Sequence, residues 1–162
     1  MYSKLPLTAL FALTLSLVSC GQERLAFYVA EETAAPGERV CLEVTTELFT
    51  DILTMQYSLA WDDEVLRFVE VTDFGLPGLS VENFGRPAGH PDRLTVAWFE
   101  PNLLPAKVPD GRPLFKVCFE VTGRSGQRSP VTITGDPTIV EVANVREEVL
   151  DPVLSEGGVR VE

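Results

Sequence analysis

Residues 25–162 predict an all-β fold, a jelly-roll-like sandwich of about nine strands in two sheets packed over alternating apolar residues. Three observations carry this. Alternating apolar segments recur every 8 to 15 residues, explicit turn signals separate them, and sustained 3.6-residue periodicity is nearly absent. The strands are expected near 25–29, 39–46, 52–61, 65–71, 80–84, 94–99, 112–122, 130–134, 138–142 and 157–161, with turns at Pro36-Gly37, 109–111, 123–130 and 156–158. A chain of 162 residues that is 45% hydrophobic buries one core and is short for two, so one domain is expected. The formal charge of −11 lacks the basic footprint that binds nucleic acid, which is excluded as a partner.

Ahead of the strands, "MYSK" supplies one positive charge and "LPLTALFALTLSLV" an apolar run too short to span a bilayer as a helix. The run ends in Leu17-Val18-Ser19-Cys20, which resembles a bacterial lipobox. That resemblance implies a signal peptide over residues 1–19, acylation of Cys20, a tether over 20–24 and a lipid-anchored place in the bacterial cell envelope, with the lipid as the only membrane contact. The alternative is an ordinary secretory signal with an incidental Cys20. Removing residues 1–19 takes away Lys4 and no acid, moving the charge from −11 to −12.

Export permits disulfides, and with Cys20 assigned to lipid an even pair remains. In "ERVCLEV" the apolar set is Val40, Leu42 and Val44; in "PLFKVCFEV" it is Phe115, Val117, Phe119 and Val121. Period-two counting therefore turns Cys41 and Cys118 away from the core, toward a cross-strand disulfide on a solvated face. Two free thiols on non-adjacent strands are the alternative.

The stretch "YSLAWDDEVLRFVEV" places Asp62, Asp63 and Glu64 at a corner between strands, where an aspartate accepts from a backbone amide one or two residues on. A calcium site is the alternative, since a tight acidic loop supplies hard oxygen ligands. A catalytic pair is disfavoured because three consecutive carboxylates diverge. His90, the sole histidine, lies in the Pro/Gly-rich "RPAGHPDR" and reads as a solvated loop residue. There is no nucleophile elbow, no CxxC pairing and no phosphate-cradling glycine loop, so no catalytic residue and no resident cofactor are assigned.

The order of segments resembles a cohesin-type module, of the superfamily that includes cellulose-binding modules: "ERVCLEVTT", then "ILTMQYSLAWDDEVLRFVEV", "DRLTVAWFEPN", "DGRPLFKVCFEV" and the "GGV" close at 157–159. Trp61, Asp62, Val65 and Leu66 carry most of it. The resemblance covers residues 25–162 and implies a non-catalytic module that binds a dockerin, a calcium-loaded helical partner. In that topology the strand from Val40 neighbours the strand carrying Cys118, and the sheet containing strands 52–61 and 94–99 carries the partner-binding face. Alternation turns Gln56, Ser58 and Ala60 outward, with Thr95, Ala97 and Phe99 beside them, and Thr132 and Thr134 on "PVTIT". That face is flat and short of charge, as interface cores are, with Phe99 as its anchor, unless the loop "EPNLLPAKVPDG" covers it. The second reading is a carbohydrate-binding module presenting polysaccharide with a row of exposed aromatics. Trp61 and Trp98 fall on the core side and weaken it; Phe74 and Phe84 are the remaining candidates for such a row.

Overall fold

The computed structural model describes residues 24–162, and the expectations for residues 1–19 and for Cys20 lie outside them. Among the described residues no helix is long and apolar enough to cross a membrane. Thirteen strands follow in order: β1 (Ala26–Val29), β2 (Glu31–Ala34), β3 (Arg39–Glu47), β4 (Ile52–Ala60), β5 (Leu66–Thr72), β6 (Phe84–Gly85) and β7 (Arg93–Phe99). The rest are β8 (Pro113–Val121), β9 (Arg128–Thr134), β10 (Glu141–Asn144), β11 (Val149–Leu150), β12 (Val153–Ser155) and β13 (Gly157–Val161). The first sheet runs β12-β1-β3-β8-β5 and the second β11-β10-β4-β9-β13-β2, with β7 on the other edge of β4 and β6 beyond it.

Alternation builds the core between them as expected. Leu42 and Val44 of β3, Phe115, Val117 and Phe119 of β8, and Met55, Tyr57 and Leu59 of β4 are all buried. Rings meet edge to face across the gap, Phe27 with Tyr57 at 5.6 Å and Trp61 with Phe119 at 5.1 Å. The unpaired Tyr57 phenol lies in this layer, and burial pushes its pKa upward.

Cys41 and Cys118 are directly paired in register and bonded, closing a loop of 77 residues that stabilises the fold by roughly 4 kcal/mol in the chain-entropy account. The expected solvated face needs correction, because Cys118 is fully buried. Arg39 of β3 reaches across β8 to Glu70 of β5, and Arg67 pairs with Glu120 alongside, so long charged side chains cover the bridge.

Two other expectations shift, and three short strands are new. Residues 80–84 form a 3-10 turn, Val81–Asn83, before the two-residue β6, because Asn83 Oδ1 accepts from the Ser80 amide and draws the chain into a turn. The strand expected at 138–142 begins at Glu141, since residues 135–140 leave the ladder. The acidic-to-polar β2 and the short β11 and β12 carry no alternation long enough to register. β1 pairs with β12 and β2 with β13, both in parallel, so the first and last segments change sheet together at Ala30 and Glu156.

At that change Gly157 is indispensable. A Cβ there would sit 2.1 Å from the Ala30 carbonyl oxygen and 2.2 Å from that of Val29. Gly157→Ala is therefore expected to cost about 4 kcal/mol or more, read as a large fall in the urea midpoint or loss of soluble protein. Gly135→Ala, whose Cβ would meet nothing closer than 3.6 Å, is the control expected to stay near neutral.

Candidate protein-docking face

The outer surface of the second sheet is organised as cross-strand rows. Because β4 pairs with β7 on one edge and with β10, then β9, on the other, each outward residue of β4 lies between two named neighbours. One row runs Val149, Ala143, Thr54, Phe99; the next runs Glu141, Gln56, Ala97. The third runs Thr134, Ser58, Thr95 and the fourth Thr132, Ala60, Arg93. The structure thus gathers all eight expected docking residues on one surface.

They are not equally available. Phe99 is 62% exposed and Ala97 is exposed, while Gln56, Ala60, Thr95, Thr132 and Thr134 are half-buried. Ser58 is corrected: it is fully buried, because residues 135–140 cross over it and its Oγ accepts from the Thr138 amide at 3.1 Å. The hydroxyl holds that crossover and is closed to a partner.

The loop after Phe99 does not cover it. The Glu100 amide donates to the Leu53 carbonyl, and Ala106 pairs with Ile52, so the loop continues along the edge of the sheet. Its shape is set by the Glu100 carboxylate, 3% exposed, whose Oε2 accepts from the amides of Asn102 at 2.8 Å and Leu104 at 2.7 Å. A charge this buried is costly unless hydrogen-bonded, and here it satisfies two loop amides. Leu103, in left-handed backbone at φ 57°, and Leu104 are left exposed beyond it.

The far end of the Phe99 row is built the same way. Asn144, buried in the β10–β11 turn, accepts at Oδ1 from the amides of Arg146 and Glu148 and donates to the Glu148 carboxylate at 2.7 Å. The hydrogen bond from Arg146, and then that from Asn144, hold the Glu148 carboxyl below its ordinary range. Val149 emerges from this turn strongly exposed. At about 4.8 Å per strand, Phe99 and Val149 stand about 14 Å apart with only Ala143 and Thr54 between them. Thr54, Ala143, Val149, Leu103 and Leu104 were not in the expected set. The alternation that turns Gln56 outward does the same for Thr54, whereas β11 is too short to announce itself.

The other candidates add nothing to this face. Asp62 Oδ1 accepts from the Glu64 amide at 3.0 Å, and its carbonyl accepts from Val65 and Leu66, making the acidic triplet a turn. No group of three or more His, Cys, Asp or Glu side chains is placed to hold a metal among the described residues. His90 is exposed in its loop. Trp98 is buried and donates to the Pro77 carbonyl, and Trp61 is buried against Phe68 and Phe119. Phe74 and Phe84, the candidates for a sugar-stacking row, pack on each other at 6.0 Å, and Phe84 packs on the core ring of Phe115 at 4.9 Å.

Glu100→Ala is expected to free the two loop amides and destabilise the loop by about 2 kcal/mol, with hydrogen exchange accelerated at Asn102 and Leu104. Glu100→Gln, which retains one acceptor oxygen, is expected to restore most of the protection; equal exchange in both variants would show that the carboxylate does not shape the loop.

No protein-family model and no curated protein sequence matches the chain. Solved structures do. The OlpA cohesin of Clostridium thermocellum, crystallised in a type I cohesin–dockerin complex with Doc918, superposes with a TM-score of 0.73 at 18% identity, over 86% of this chain and 100% of that one. A non-cellulosomal cohesin from the hyperthermophilic archaeon Archaeoglobus fulgidus gives 0.68 at 19%, over 86% and 92%. CaCohA2 of Clostridium acetobutylicum gives 0.66 at 21%, over 86% and 91%. With two mixed sheets and an alternating core, residues 24–162 have the fold of a cohesin module.

Proposed function

We propose that this protein is a non-catalytic docking module that recruits a dockerin-type protein through the outer face of β7, β4, β10 and β11. The observation that carries the reading is the row Val149, Ala143, Thr54, Phe99: two exposed apolar anchors about 14 Å apart over small residues, each held by a loop with a buried polar brace. Solved neighbours of the same fold are cohesins in complex with dockerins, which supports this choice of partner. Phe99 is the one aromatic among the exposed large apolar side chains of the described residues, so a row of stacking rings for polysaccharide has no support there. The lipobox-like sequence at 17–20 supports anchoring of the module to the cell envelope through Cys20.

Immobilised protein should capture a dockerin-bearing protein, identified by mass spectrometry, from the envelope and secreted fractions of its source. Capture should be lost on calcium chelation. Phe99→Ala should weaken it about tenfold or more with the melting temperature unchanged, because the ring is mostly solvent-exposed. Capture indifferent to Phe99→Ala, or competed by soluble polysaccharide, would overturn the reading. For the anchor, inhibition of lipoprotein signal peptidase should leave a heavier, unprocessed form; an unchanged mass would refute acylation at Cys20.

A further inference from the structure

A second surface lies where the end of β5 and the segment leading into β8 border an open cleft of about 620 Å³ lined by Asp73, Phe74, Lys107, Pro109, Arg112 and Lys116. Its walls are braced. The Ala106 and Val108 amides bond to Ile52 and Phe49, the Gly111 amide to Thr46, and the Asp110 carboxylate accepts from the Leu48 amide. Lys116 is already neutralised, its Nζ 3.0 Å from Asp73 and 3.3 Å from Glu43, and these carboxylates raise its pKa. Lys107 and Arg112, by contrast, make no ion pair and no side-chain hydrogen bond among the described residues. In a chain of net charge −11, two unpaired cations on one cleft are a local exception. The acids elsewhere on the molecule act weakly there, since exposed charges beyond about 8 Å are largely screened at physiological salt.

The same cleft is also lined by apolar groups, the half-buried Phe74 ring with Pro109 and Pro113. A cleft of several hundred Å³ lined by apolar groups with a few polar ones is the usual form of a small-ligand site. The chemistry that fits both kinds of lining group is a ring with a C–H face and a carboxylate. We propose that this cleft binds a carboxylated sugar residue, with Lys107 and Arg112 holding the carboxylate and Phe74 and the prolines contacting the sugar ring. None of the cleft residues belongs to the cross-strand rows of the proposed docking face.

The test is calorimetric titration of the protein with trigalacturonate, with its neutral methyl ester, and with a hexaglutamate peptide. Trigalacturonate should bind and lose affinity as salt is raised, and the ester and the peptide should bind at least about tenfold more weakly. Lys107→Ala with Arg112→Ala should lower trigalacturonate affinity about tenfold or more while leaving the melting temperature and the Phe99-dependent capture unchanged. No binding at millimolar trigalacturonate, equal binding of the ester or the peptide, or an unaffected double variant would each overturn the proposal. Because Phe99→Ala is read in a separate assay, failure here leaves the docking reading standing, and the reverse holds too.

Discussion

The architecture depends on one close backbone approach, where the first and last strands pass from one sheet to the other side by side. β1 and β12 lie together in the first sheet, β2 and β13 in the second, and the passage occurs at Ala30 and Glu156, just before Gly157. Gly158 closes the contact by donating its amide to the Ala30 carbonyl, and Gly157 leaves the space that any side chain would fill. Were the crossing looser, the two sheets would lose a shared edge and the core between them would open to water. Phe27, on the strand that enters the crossing, is buried edge to face against Tyr57 of the second sheet.

With the sandwich closed, the proposed docking face needs rigidity at its margins, where strands end and loops begin. Both margins are braced by a buried polar side chain turned toward backbone amides, Glu100 beside Phe99 and Asn144 before Val149. An interface anchored on ordered loops loses less conformational entropy on binding than one that must order them, so these braces favour affinity without adding a contact. Each also offsets its own desolvation, since the buried acceptors are paired.

Much of this was legible in the sequence. Period-two alternation placed Trp61 and Trp98 in the core and Phe99 on the surface, because in long strands the pleat alone assigns each side chain to a face, while the neighbouring of the Cys41 and Cys118 strands came from the resemblance to cohesins. The acidic corner was legible through the hydrogen-bonding habit of Asp62. What alternation cannot see is anything that crosses a sheet. Ser58 is outward by count yet buried, because residues 135–140 fold back over it. Cys118 is outward by count yet buried, because Arg39 spans β8 to reach Glu70. Strands of two to four residues such as β11 and β12 offer too few alternations to stand out from their turns, and with β11 the sequence hid one anchor of the Phe99 row.

The two outer faces of the sandwich are chemically opposite, and the difference bears on which of them meets a protein. The first sheet carries Arg39–Glu70, Arg67–Glu120 and Lys116 between Glu43 and Asp73, whereas the rows across β4 and β7 hold one acid, Glu141, and one base, Arg93. Exposed pairs of this kind contribute about 0 to 1 kcal/mol each, so the lattice is a poor candidate for what holds the fold together. Its effect falls on association: a partner docking there would have to strip water from several charges at once, and isolated charges moved out of water are repaid only with close partners. The neutral face demands no such exchange. Charge on one sheet thus favours the other as the face for a protein partner, in keeping with the proposed docking face, whereas the unpaired Lys107 and Arg112 suit the small anionic ligand proposed for their cleft.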